Sequence, residues 1–206
     1  MLWSGSPTPI AISVPIPSDI YSSYDLPITV AVTLSPEETR ELFNLYSRVR
    51  EFLATLREES PVAGYLKMPQ VPVVLSESLA AILIRTGSVK LPGIRSKDIL
   101  SVVRGGEGGA DLTVTLVSGK QYGVEVKATA DKEFIQLTKR DLLADYFLWI
   151  LFRDVFDRRG RSPVINVLVV CQPGDVLSPG KVTFQKMTSQ GLKHFALVSV
   201  DLDDVI

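Results

Sequence analysis

The chain has 206 residues, 46% of them hydrophobic, which is enough to bury a substantial core in one large domain or in a core domain with an extension. Lys and Arg number 22 against 23 Asp and Glu, so no global basic field draws it to nucleic acid, and any such binding has to use a local patch. One cysteine, Cys171, and one histidine, His194, exclude an intrachain disulfide, a multi-cysteine zinc site and a multi-histidine metal cluster.

The longest apolar run, Tyr146 to Phe152, falls far short of a membrane span. The N-terminus shows no basic segment leading into an apolar one, so a cytoplasmic chain without a membrane partner is expected. Residues 1–34 begin with closely spaced prolines that exclude helix, then turn apolar, predicting an extended arm and a strand from about Ile28 to Leu34. Ser35-Pro36-Glu37-Glu38 is a capping box with proline in the first turn, and it starts a helix that runs to about Glu58. Leu42, Tyr46, Val49, Phe52, Leu53 and Leu56 form its apolar stripe, expected to pack on the domain or to serve dimerisation.

Glu59 to Val74, with prolines at 61, 69 and 72, reads as a linker. A short buried helix is predicted over Ser76–Arg85, stopped by Gly87, then a strand over Ile99–Arg104 and a glycine-rich loop to Gly109. Beyond the central hairpin described next, Thr138-Lys139-Arg140-Asp141 repeats the capping-box pattern. It predicts a buried helix to about Asp157, with a strand over Tyr146–Phe152 as the rival reading. Pro163–Cys171 is an unbroken apolar run expected to be a buried strand, and VTFQKM and FALVSVDL suggest two edge strands.

The stretch Ala110–Ala128 alternates with period two on both sides of Ser118-Gly119, the pattern of a β-hairpin. Its polar face carries Asp111, Glu125 and Lys127. Two carboxylates converging across a hairpin make the hard oxygen site that Mg²⁺ prefers, and a lysine beside them can hold a water or neutralise a phosphate oxygen. A two-residue turn would set Asp111 opposite Val126, facing away from the site; one further turn residue, or a bulge, would set it opposite Lys127 and beside Glu125. The acid-x-lysine triplet carries no weight alone, since on the order of one is expected by chance at this composition. What distinguishes it is its place, on the second strand of a hairpin whose first strand opens with an aspartate.

Ala110-Asp111-Leu112 followed by Gly123-Val124-Glu125-Val126-Lys127-Ala128-Thr129, set between helices and strands, resembles the PD-(D/E)xK nuclease superfamily, which includes restriction endonucleases and archaeal Holliday-junction resolvases. The resemblance covers roughly Ser76 to Cys171; Ala110 stands where many members have proline. It implies an α/β fold with a restriction-endonuclease-like αβββαβ core, a mixed central sheet flanked by helices, in residues 75–206. Residues 1–74 would be an N-terminal arm, strand and helix used for dimerisation or DNA reading.

It implies a Mg²⁺-dependent DNA endonuclease, with Mn²⁺ as substitute, in which Asp111 and Glu125 ligate the metal together with the carbonyl of Val126. Lys127 would orient water or stabilise the phosphorane. Glu77 would be a further carboxylate, though an acid at a helix N-terminus also has its own helix-dipole explanation; Glu107 is the substitute. Gln136, Lys139 and Arg140 fall where members often present polar groups to the active site or the DNA backbone; Arg104, as part of a basic track, and Thr129 are further candidate DNA contacts. The partner would be duplex or branched DNA, and the active form a homodimer with one site per strand. The competing readings are a non-catalytic nucleic-acid or protein-binding module that retains the fold, and a plain α/β domain with a solvated hairpin face.

Overall fold

A computed structural model describes residues 33–60, 64–105, 109–130, 132–152, 155–156, 163–189 and 195–206. The chain divides into two compact units, 1–30 and 31–206. The first lies outside the described residues, and so do most of the strand expected at 28–34, Glu107 and His194.

Helix α1 spans Pro36–Glu59, and the Ser35 capping box is fully formed: the Ser35 hydroxyl accepts the Glu38 N–H while the Glu38 carboxylate accepts the Ser35 N–H at 2.8 Å. Its buried face is rotated from the expected stripe. Phe43 and Tyr46 enter the core, but Val49 and Phe52 face outward, Phe52 at 62% exposure. Phe43 stacks on Phe152 and lies tilted against Phe156, and Tyr46 meets Phe156 edge-on at 5.0 Å. The proline-rich connection is pinned to α1, because the Pro69 carbonyl accepts from both the Tyr46 hydroxyl and Arg50. Helix α2, Val73–Thr86, is buried along nearly its whole length and ends at Gly87, whose φ of 77° is the left-handed cap that glycine adopts without penalty.

Six strands follow in one mixed sheet: β1 (Ile99–Arg104), β2 (Leu112–Leu116), β3 (Gln121–Thr129), β5 (Tyr146–Leu151), β6 (Val164–Cys171) and β8 (Phe195–Asp201), in that spatial order. All neighbours are antiparallel except β3 and β5, which run parallel. Strand β4 (Phe134–Leu137) pairs separately with β7 (Gly180–Thr183). Two short helices, α3 (Pro173–Val176) and α4 (Phe184–Ser189), flank β7. Of the two tail segments, FALVSVDL is the edge strand β8; VTFQKM ends strand β7 with its first two residues and is helical over the other four.

The helix expected from Thr138 to Asp157 is not formed. The capping pattern is real, but it heads a single 3-10 turn, Asp141–Leu143, and the chain then enters β5. The reason is burial on both sides. Tyr146, Leu148 and Ile150 face the helices and the larger core, while Phe147 and Trp149 face a second cluster with Ile135, Leu137, Leu168, Val170 and Met187. A central strand covered on both faces has no polar positions, and a short apolar run of aromatic and β-branched residues fits it as well as it fits a buried helix turn.

Parallel pairing of β3 and β5 requires a crossover. Residues 130–145 supply it, and among the described residues they contain β4 and one 3-10 turn but no α-helix. Because β4 belongs to the second cluster, the crossover lies over the face of the sheet opposite α2.

Truncating a ring in the α1 cluster should be costly where truncation on its outer face is not. Phe43→Ala is expected to lower unfolding free energy by about 3–5 kcal/mol, and Phe52→Ala by no more than about 0.5 kcal/mol, both measured by urea denaturation.

Candidate functional site

The hairpin loop is Val117-Ser118-Gly119. Leu116 and Lys120 close it, with the Leu116 N–H donating to the Lys120 carbonyl at 2.8 Å and Gly119 at φ 84°. Three loop residues give the pairs Leu112 with Val124 and Thr113 with Gly123. Continuing that register sets Asp111 across from Glu125, two positions from the expected Lys127 but on the same face, since the shift is even. Val124 and Val126 are buried toward the helices, which leaves Glu125 and Lys127 on the crossover side.

The three hairpin side chains each have a definite partner. Asp111 Oδ2 accepts the backbone N–H of Val126 at 2.8 Å, which fixes the carboxylate between Glu125 and Lys127; the contact found at Val126 is therefore of its N–H. The Lys127 ammonium is paired with Glu125 and lies 3.0 Å from Asp141 Oδ1. Glu125 and Asp141 are both only 6% exposed.

Asp141 is the residue that sequence reasoning missed. It was visible only as the last position of a capping box, and that box exists: Asp141 Oδ2 accepts the Thr138 N–H at 2.7 Å and Thr138 Oγ1 accepts the Asp141 N–H at 3.3 Å. Its other oxygen goes to Lys127 because the crossover passes over this face.

Glu77, buried on α2, is ion-paired with Arg104 at the end of β1, so the arginine expected on DNA is engaged by the carboxylate expected on metal. Asp111 is the charge that both Glu77 and Glu125 feel. Gln136, Lys139 and Arg140 are exposed together on the crossover, and Arg140 donates to the Gly109 carbonyl at 3.0 Å. Thr129 is occupied structurally: its hydroxyl accepts the Trp149 indole N–H at 2.9 Å. Glu107 lies outside the described residues.

The electrostatics separate the acids. Burial pushes the Glu125 carboxyl up to about 7; the hydrogen bond from Lys127 opposes this and the Asp111 charge adds to it. Burial also raises Glu77, against the pull of Arg104 and with the help of Asp111. For Asp141 burial is outweighed by the hydrogen bonds from Thr138 and Lys127, which hold it below the ordinary range. Burial would likewise lower Lys127, but Glu125 and Asp141 outweigh it and hold the ammonium above its ordinary value.

Among the described residues no group of three or more His, Cys, Asp or Glu side chains is placed to hold a metal ion. The donor chemistry nonetheless suits Mg²⁺, which typically takes one or two carboxylates and completes its shell with water and substrate oxygens. Asp111 and Glu125 are such a pair. Among the described residues no helix is long and apolar enough to cross a membrane. No family model, curated protein or solved structure matches this chain, so the reading of the site rests on its own geometry.

The Glu125 shift has a measurable consequence. Its folded value lies above the 4.5 of an ordinary glutamate, so its contribution to stability is complete below about pH 4.5 and is lost as pH rises through about 7. Urea denaturation across that window should show wild-type stability falling relative to Glu125→Gln, by on the order of 2 kcal/mol.

Proposed function

We propose that this chain is a divalent-metal-dependent endonuclease that hydrolyses phosphodiester bonds in DNA, with a restriction-endonuclease-like core acting on duplex or branched substrates. The observation that carries the reading is the hairpin: Asp111, one residue before β2, accepts the Val126 N–H, and Glu125 and Lys127 flank that residue on one face of β3. In this reading Asp111 and Glu125 hold Mg²⁺, or Mn²⁺ in its place, with the Val126 carbonyl as a further donor. The bound ion supplies Lewis-acid activation of a phosphoryl oxygen and a water of lowered pKa.

The remaining chemistry belongs to the protein. The Lys127 ammonium, kept charged by its carboxylate neighbours, donates hydrogen bonds to the attacking water or to a phosphoryl oxygen as negative charge develops there. Asp111 is held by the Val126 N–H, so its second oxygen is presented in a fixed direction. Glu77 joins only on parting from Arg104, which would release a guanidinium suited to a phosphate. Lys139 and Gln136 are exposed on the crossover and supply backbone contacts to DNA. A homodimer would bring one site to each strand, and the expected location is the cytoplasm.

A second reading is favoured by one observation: Glu77, Glu125 and Asp141 are each already matched with a cation of the same chain. That is what a non-catalytic nucleic-acid-binding or interaction module retaining the fold would show. The two part company in one assay, with supercoiled plasmid and a four-way junction incubated with Mg²⁺ or with EDTA. The endonuclease cleaves at least one substrate only with Mg²⁺, and Lys127→Ala slows it by about 10²–10³-fold. No cleavage of either substrate, together with no Mn²⁺ binding by the wild-type protein, overturns the endonuclease reading.

A further inference from the structure

We propose that Asp141 is a positioning residue, the fixed counter-ion that keeps the Lys127 ammonium in place when Glu125 turns to a bound cation. This rests on the endonuclease reading above and adds to it a residue outside the hairpin.

The geometry distinguishes the two carboxylates that share Lys127. Glu125 sits two residues from Lys127 on the same strand face, and the register puts Asp111 across from it. It therefore serves two possible charges, the ammonium and a divalent ion between itself and Asp111. Asp141 is anchored by its own turn instead. One of its oxygens is committed to the Thr138 N–H at 2.7 Å, its own N–H is committed to the Thr138 hydroxyl, and its remaining oxygen is 3.0 Å from the Lys127 nitrogen. Held by its own turn and buried, it faces the Lys127 ammonium and the Glu125 carboxyl, and its hold on the ammonium does not depend on Glu125.

The same turn grips the other side of the site. Arg140, adjacent to Asp141, donates to the Gly109 carbonyl at 3.0 Å, two residues before Asp111. Gly109 has φ 80°, the left-handed region that favours glycine, and the Arg140 guanidinium lies against it. Residues 138–141 thus contact Lys127 on β3 and the loop that leads into β2. Without the Asp141 charge, Lys127 would have Glu125 as its remaining carboxylate partner among those described here, and the ammonium would compete directly with a metal ion for it.

Asp141→Asn is nearly isosteric and keeps an oxygen for the Thr138 N–H, so the fold is expected to stand. It should weaken Mn²⁺ binding, measured by calorimetry, by about 10–100-fold, and lower kcat while leaving KM for DNA nearly unchanged. Asp141→Glu, which restores the charge, should recover part of both losses. In a Lys127→Met background, where no ammonium competes for Glu125, Asp141→Asn should leave Mn²⁺ affinity unchanged.

The proposal is overturned if Asp141→Asn binds Mn²⁺ and cleaves like wild type, or if it loses Mn²⁺ affinity equally in the Lys127→Met background. Should Asp141→Asn fail to fold, a folded Asp141→Glu protein with kcat no better than Lys127→Ala also overturns it. A wild-type protein that neither binds Mn²⁺ nor cleaves removes the endonuclease reading itself, an outcome distinct from the others.

Discussion

Three loop residues, Val117 to Gly119, decide which side of the sheet every charged group of the hairpin occupies. Side chains alternate along a strand, so a loop one residue shorter would send Asp111 to the opposite face from Glu125 and break the site without altering a single one of its residues. The loop is possible because Gly119 adopts φ 84°, a conformation costly for any residue with a Cβ. The placement of Asp111 against the Val126 N–H, and the influence of Asp111 on Glu125, both follow from that choice.

The second constraint is the strand beside the hairpin. β5 is parallel to β3 and apolar on both faces, so it has to be covered twice, by α1 and α2 on one side and by the crossover with β4, β7 and α4 on the other. Covering the second face with the crossover brings Thr138–Asp141 down on Lys127. A packing requirement of Phe147 and Trp149 thereby delivers an ionised carboxylate to the site. The partial closure explains why Glu125 is displaced upward and Asp141 downward: both are buried, but Asp141 receives a backbone N–H as well as Lys127, and Glu125 must also tolerate Asp111.

Much of this is legible from local pattern. The Ser35 capping box, the Gly87 stop, the hairpin around Gly119 and the apolar run of β6 each depend on neighbours in sequence, and each lies where its residues indicate. The α/β class with a mixed sheet follows from those elements. What is not legible depends on distant partners. Tyr146–Leu151 satisfies a buried helix and a doubly covered strand equally until the covering layers are known. The orientation of α1 about its axis is settled by Phe152 and Phe156, far along the chain, which select Phe43 over Phe52. Asp141 gives no sign of its partnership with Lys127, because a capping pattern reads the same whether it heads a long helix or one turn. The pairing of Glu77 with Arg104 likewise needs the packing of α2 on β1.

The parallel pairing of β3 with β5 also bears on how the molecule assembles. The hairpin is local and can close in about 1–10 μs, whereas β5 must wait for the crossover to loop back and for β4 to meet the much later β7. Until then β3 lacks its partner on the β5 side, and an unpaired strand edge is the condition that favours association between chains. The charged pair Glu125 and Lys127 sits on the edge-forming strand throughout this stage, and charges in such a strand discourage a foreign strand from docking before the native one arrives. The same two side chains then guard the nascent sheet before they line its finished surface.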